Sequence, residues 1–183
     1  MLKVNFEQAV YGWRVKAGFI SIVAAVILAN PHLSSLLAGL GICLIGLIIR
    51  VWASGHLSKE KELAVSGPYR FTRNPLYLAN LVIGMSVVVA SCSWWVMAIF
   101  GAYFLLFYPI AIKKEKERMK DLFPAEYDEY RKKAPLFFPS LRPLPSLKKN
   151  KFSWKLFRKN KEWRALSGAT LFWLALTLKM LLA

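Results

Sequence analysis

Long stretches of this sequence carry no charged side chain, and the charges are gathered into blocks between them. Leu33 to Ile49 and Trp94 to Ile112 contain no Asp, Glu, Lys or Arg at all. Three further apolar runs, roughly Ala17 to Ala29, Leu76 to Ala90 and Ala165 to Ala183, complete the pattern, the last interrupted only by Lys179 near its end. A bilayer core takes about 20 helical residues, so these runs read as membrane-crossing helices, the first and third borrowing length from their flanks. Lys179 lies close enough to the end of its run to snorkel. The expected fold class is therefore all-α, a multi-pass membrane protein with about five transmembrane helices.

Composition enters as a check. The chain has 183 residues, 56% of them hydrophobic, and a mean hydropathy of +0.38 alongside a net charge of +16. A water-soluble enzyme of this size does not combine those values. Intrinsic disorder is excluded by the aromatic content and the long apolar runs. A disulfide scaffold is excluded because Cys43 and Cys92 are the only cysteines.

The blocks of charge also give an orientation. The short connections Asn30 to Ser35 and Ser91 to Ser93 lack Lys and Arg, whereas residues 1–16, 50–75 and 113–164 hold every basic residue except Lys179. The positive-inside rule then puts the N-terminus in the cytoplasm and the C-terminus outside. This points to a prokaryotic cytoplasmic membrane with any active site facing the cytoplasm. The first apolar run does not read as a cleaved leader, since its n-region is long and mixed in charge and no A-x-A site follows. Four units result: two N-terminal helices over 1–49, a core over 50–140 with a helical hairpin at 75–122, a basic segment over 141–164, and a C-terminal helix over 165–183.

A basic chain invites a nucleic-acid reading, but the cations lie beside membrane spans and no nucleic-acid motif is present. Lys148, Lys149, Lys151, Lys155, Arg158 and Lys159 interleave with Phe152, Trp154, Leu156 and Phe157. That composition suits a segment lying on anionic lipid headgroups, or one that merely fixes topology.

Two charged segments are too patterned for plain loops. In the first, Gly67-Pro68 signals a turn and Asn74-Pro75 opens the third helix, with Asn74 as N-cap and Pro75 at the first helical position. The free N–H groups of that helix start, with Arg70 and Arg73 beside it, favour a carboxylate or phosphate. Simple interfacial anchoring by the arginines is the alternative. In the second, the fourth helix continues to Leu122 past Pro109, whose kink would open space against the third, and Glu115 follows just outside. Glu115 reads either as a partner for a cation or as a modest i,i+3 pair with Arg118. A tight hairpin about Ser91–Ser93 sets Pro75 level with about residue 109, which puts Glu115 about 9 Å further along the axis. A small elongated molecule fits between, with an amine toward Glu115 and Tyr69 and Tyr77 at its border. Zinc is not expected, because His32 and His56 fall on opposite sides and no Cys is near either. No phosphate loop and no serine triad are present.

At these residues the chain resembles the isoprenylcysteine carboxyl methyltransferase and phospholipid methyltransferase group of integral membrane enzymes. Ser66-Gly67-Pro68-Tyr69-Arg70, Arg73-Asn74-Pro75-Leu76-Tyr77, a hydrophobic hairpin, Glu115 and then Phe123 to Tyr130 follow that signature in order and spacing. The resemblance implies an S-adenosylmethionine-dependent methyltransferase acting on an isoprenoid, prenylated or other lipid acceptor that enters from the bilayer. It implies Lys61, Glu62, Leu63, Ala64, Tyr69, Asn74, Pro75, Leu76, Tyr77, Glu115 and Glu117 as the cofactor-binding set. Arg73, Asn74 and Glu115 would be catalytic, and Arg70 and Arg73 would meet the substrate. No metal is implied. Two other readings remain: an NADPH-dependent membrane reductase of sterol-like lipids, and a non-catalytic protein that docks anionic lipid.

Overall fold

The computed structural model describes residues 2–145 and 150–182, with side chains from Glu7 onward. Every regular element among them is helical: α1 Leu2–Leu28, α2 Leu33–Gly55, α3 Pro75–Ser91, α4 Trp94–Leu122, α5 Pro124–Lys133, α6 Trp154–Lys159 and α7 Trp163–Leu182. A 3-10 turn over Gly67–Arg70 lies between α2 and α3. Lys148, Lys149, Ala183 and the Lys3 side chain lie outside the described residues.

The all-α expectation holds, with one difference in the spans. Among the described residues, four helices are long and apolar enough to cross a membrane: α1 from Glu7, α2, α4 and α7. The fifth, α3, has 17 residues, about 25 Å at the α-helical rise and short of the hydrocarbon thickness. Pro75 starts it and Cys92, in the left-handed region at φ 44, stops it.

Two helices exceed the lengths read from charge-free runs. α1 continues back through Lys16 and Arg14, and α2 continues forward through Arg50 to Gly55. Nothing in either extension breaks a helix, and both arginines find partners inside the bundle, so a charge did not mark an end.

The end of the bundle at the Asn30 and Ser91 turns closes tightly. α2 and α3 approach through small residues; a Cβ on Gly39 would meet the Ser86 carbonyl at 2.8 Å and the Ala90 Cβ at 2.8 Å. Such contacts let backbones pack closely where lipid offers no hydrophobic drive. Ala25, Ala29, Leu36, Ala90, Val96, Phe172 and Leu176 form the core there. The turns are tied by Asn30 N–H to the Ser91 carbonyl at 2.8 Å and by Ser35 Oγ to the Ala90 carbonyl at 3.1 Å. Lys179 does not snorkel away: its Nζ donates to the Val26 and Ile27 carbonyls at 2.9 and 2.5 Å. It thereby serves the orphan carbonyls and negative dipole end of α1.

At the other end, a second small core of Leu63, Val65, Tyr127, Tyr130 and Ala134 sits under the loops. The chain after α5 straps the segment before α3, with Arg73 N–H on the Pro135 carbonyl (3.0 Å), Ser140 N–H on Phe71 (2.8 Å) and Leu144 N–H on Arg70 (3.0 Å). Gly67 has φ +57, and a Cβ there would strike the His56 ring at 2.5 Å, so both backbone and space require glycine.

Candidate active site

Where the helices leave the tight end, large polar side chains hold them apart and a cavity of about 790 Å³ opens. That volume is typical of a small-molecule site. Six parts of the chain line it: α1 with Tyr11 and Arg14, the end of α2 with Arg50, the following loop, the 3-10 turn with the start of α3, α4 with α5, and Glu162 ahead of α7.

Local structure explains what each part presents. In the 3-10 turn, successive side chains point about 120° apart. Tyr69 is buried against the cavity, while Arg70 turns away and gives its Nε–H to the Leu144 carbonyl at 2.6 Å. The Tyr69 backbone is pinned by the Tyr130 hydroxyl, which donates to its carbonyl at 2.6 Å. Burial first, and the Glu115 carboxylate next, push the Tyr69 phenol well above its usual range; Tyr130 and Glu162 act the same way and Arg50 opposes. Burial likewise raises Tyr130. Both phenols are therefore neutral donors at any physiological pH.

Pro75 begins α3 as read from the sequence, but Asn74 does not cap it with its side chain. The Asn74 Nδ2 instead donates to the Leu136 carbonyl at 2.8 Å, and its backbone N–H reaches Thr72 Oγ1 at 3.3 Å. Asn74 itself lines the cavity. Arg73 donates to the Tyr127 hydroxyl at 3.2 Å, while its Nε is buried without a hydrogen-bond partner. A buried guanidinium N–H without a partner is costly, and an oxyanion in the cavity would satisfy it.

Across the cavity, α4 runs unbroken through Pro109 and delivers Lys114 to Met119 to the opposite wall. Glu115 stands next to the Tyr69 and Tyr77 phenols. Arg118 pairs with Glu60 of the facing loop at 2.6 Å rather than with Glu115.

The deeper wall is an ion-pair cluster. Arg50 donates through Nε to Glu162 at 2.6 Å and through Nη1 to Asn80 Oδ1, and Glu162 is only 7% exposed. Tyr77 and Tyr108 meet edge to face, ring centroids 5.5 Å apart. Glu162 is brought there by a turn with Lys161 at φ 57, after Phe157 of α6 is buried against α2.

The structure thus gathers Glu62, Leu63, Ala64, Tyr69, Arg73, Asn74, Pro75, Leu76, Tyr77, Glu115 and Glu117 around one cavity. It leaves Lys61 and Arg70 outside it, Lys61 exposed and Arg70 bound to the strap. Arg14, Arg50, Asn80, Tyr103, Tyr108 and Glu162 also line the cavity and were not singled out by motif. For Arg14 and Arg50 a signal was present: each is a charge adjoining an apolar run, and charges inside spans are costly unless partnered. Glu162 gave none, being one carboxylate in a basic stretch. Among the described residues no group of three or more His, Cys, Asp or Glu side chains could hold a metal ion.

The family model for phospholipid methyltransferases matches residues 34–126. The chain is 33% identical over 140 residues to the cobalt-zinc-cadmium resistance protein CzcN of Cupriavidus metallidurans, covering 70% of this chain and 62% of that one. It is 36% identical over 96 residues to the nickel-cobalt-cadmium resistance protein NccN of Alcaligenes xylosoxydans xylosoxydans, covering 50% of this chain and 44% of that one. It thus spans less than two thirds of either relative. No solved structure matches.

Proposed function

This chain belongs to the phospholipid methyltransferase family, and from that membership we propose that it transfers a methyl group from S-adenosylmethionine to a lipophilic acceptor at the cytoplasmic face of the membrane. The observation that carries the reading is the opposition of Glu115 on α4 to the start of α3, from Arg73 to Tyr77, across a single cavity. The residues there suit the cofactor. The Glu115 carboxylate suits an ammonium, the buried Arg73 Nε suits an oxyanion, and the Asn74 amide suits an adenine. When bound, S-adenosylmethionine supplies an electrophilic methyl group on a sulfonium.

The protein's own part is positioning and exclusion of water. Glu115 would hold the amine end of the cofactor and lend negative charge to the cavity. Leu63, Ala64 and Leu76 give apolar walls, and the neutral Tyr69 hydroxyl is available as a donor. The Tyr77 and Tyr108 rings close the side facing the bundle.

Orientation follows the charges: the cavity lies at the end of the bundle that carries the basic blocks, and the positive-inside rule puts that end in the cytoplasm. The core over 50–140 and the segment over 141–164 would then act together, since Glu162 lines the cavity. The basic segment has Trp154, Lys155 and Arg158 exposed on one short helix, which suits anionic headgroups. Its Phe157 is buried, and Phe152 packs on His56 at 6.3 Å between ring centroids.

Reconstitution of the full chain in vesicles of mixed bacterial phospholipids, with methyl-labelled S-adenosylmethionine, tests the proposal. Label is expected in the organic extract, and less of it from Glu115→Gln. Label confined to the water phase, with NADPH consumed in a parallel assay, would replace this reading by the reductase.

A further inference from the structure

Arg14 lies within α1, in a segment apolar enough to cross a membrane and outside the residues the family model matches. It is half-buried and lines the cavity. Its guanidinium donates to the Tyr77 hydroxyl at 3.4 Å and stands 4.8 Å from the centre of the Tyr11 ring. Lys114, from α4, approaches the same ring at 4.4 Å and lines the same cavity. Among the described residues, neither cation forms an ion pair with a carboxylate, although Arg50, Lys113 and Arg118 nearby all do. Glu115 is the other charged neighbour of the Tyr77 hydroxyl, one side chain away from Arg14.

A cation at membrane depth is costly unless something compensates it, and a phenol with a ring face compensates little. Arginine has five donors in a fork, and one of them is used here. We propose that Arg14, assisted by Lys114, is an oxyanion-binding residue of the cavity, its ligand a carboxylate or phosphate. This rests on the methyltransferase reading for one source of that group. The carboxylate at the amino-acid end of the cofactor fits, because Glu115 across the Tyr77 hydroxyl takes the adjoining ammonium. The second source is the anionic head of a lipid.

Calorimetric titration of the detergent-solubilised full chain separates the two. The probes are S-adenosylhomocysteine, 5′-methylthioadenosine, which lacks the amino-acid end, and lysophosphatidate. Arg14→Met is expected to weaken S-adenosylhomocysteine or lysophosphatidate at least tenfold and to leave methylthioadenosine unchanged, with Arg14→Lys keeping most of the affinity. Arg14→Gln serves if the methionine variant does not fold. Loss with S-adenosylhomocysteine assigns the cofactor carboxylate; loss with lysophosphatidate assigns a lipid head. Unchanged binding of both probes by Arg14→Met would overturn the proposal, as would wild-type protein that binds neither. Wild-type protein that binds lysophosphatidate through Arg14 but no S-adenosylhomocysteine would overturn the methyltransferase reading and leave the oxyanion site standing.

Discussion

The two ends of the helical bundle are built on opposite rules. At the Asn30 and Ser91 turns, Ala29, Ala90, Ser86 and Ser91 are fully buried, and backbones approach until a methyl group no longer fits. At the other end Arg14, Arg50, Tyr77, Tyr103 and Tyr108 stand between the same helices and keep a cavity open. Small side chains give one end contact and rigidity. Large side chains with polar tips give the other end room and chemistry, at the cost of partners that must all be present at once. The tight end should therefore answer to volume, and the open end to charge.

The largest effect is expected where the open end depends on a buried pair. Glu162→Gln takes the compensating negative charge away from Arg50 in a cavity wall, and breaking a buried ion pair from one side costs about 3 kcal/mol or more. The double variant Arg50→Met/Glu162→Leu should recover most of the thermal midpoint that Glu162→Gln loses; failure to recover would mean packing, not charge, holds that wall. Next is volume at the tight end. Gly39→Leu must displace the Ser86 carbonyl and Trp173, both within 2.9 Å of a new Cβ, so overpacking of about 2 kcal/mol is expected in a melting experiment, with no change in ligand affinity. The same Leu at Gly41, which has nothing within 4 Å, should leave the midpoint in place.

A smaller effect concerns pH. The Tyr69 and Tyr130 phenols are raised by burial. A group whose pKa is higher folded than unfolded lends its stability below the unfolded value, about 10 for tyrosine, and loses it as pH climbs toward the folded one. Stability should therefore fall above about pH 10, and Tyr130→Phe should flatten that decline while giving up the Tyr69 carbonyl bond, about 1 kcal/mol at neutral pH. The smallest effect is at the mouth of the cavity. Arg118 and Glu60 are more than half exposed at 60% and 56%, and Arg118→Gln should lower stability by only a few tenths of a kcal/mol, a difference that vanishes in high salt.

The sequence disclosed the tight end and only part of the open one. Helix number, the Ser91 turn and the Pro75 start of α3 could be read because apolar runs and Pro/Ser breaks are local signals. The opposition of Glu115 to Asn74 could be read because one hairpin of known rise connects them. Glu162 could not, since its place depends on a turn after α6 and on Arg50 more than a hundred residues earlier in the chain. Arg14 and Arg50 sit where charge-free runs stop, yet both lie inside helices; Glu162 offsets Arg50 across the bundle, whereas Arg14 has the Tyr77 hydroxyl and no carboxylate. Lys179 is near enough to the end of its run to snorkel, and which group its ammonium meets there, the end of α1, depends on the packing of α7 on α1. Spacing groups Arg70 with Arg73, but Arg70 ends the 3-10 turn and binds the Leu144 carbonyl, while Arg73 lies beyond it and binds Tyr127.

The central claim is that Glu115 and the start of α3 form one cofactor site. Titration of the solubilised protein with S-adenosylhomocysteine tests it most directly, with Glu115→Gln beside the wild type and both checked for equal thermal midpoints. The account predicts saturable binding to the wild type that weakens at least tenfold, about 1.4 kcal/mol, in the variant. Equal affinity in the two proteins, or no binding by folded wild-type protein, would contradict it.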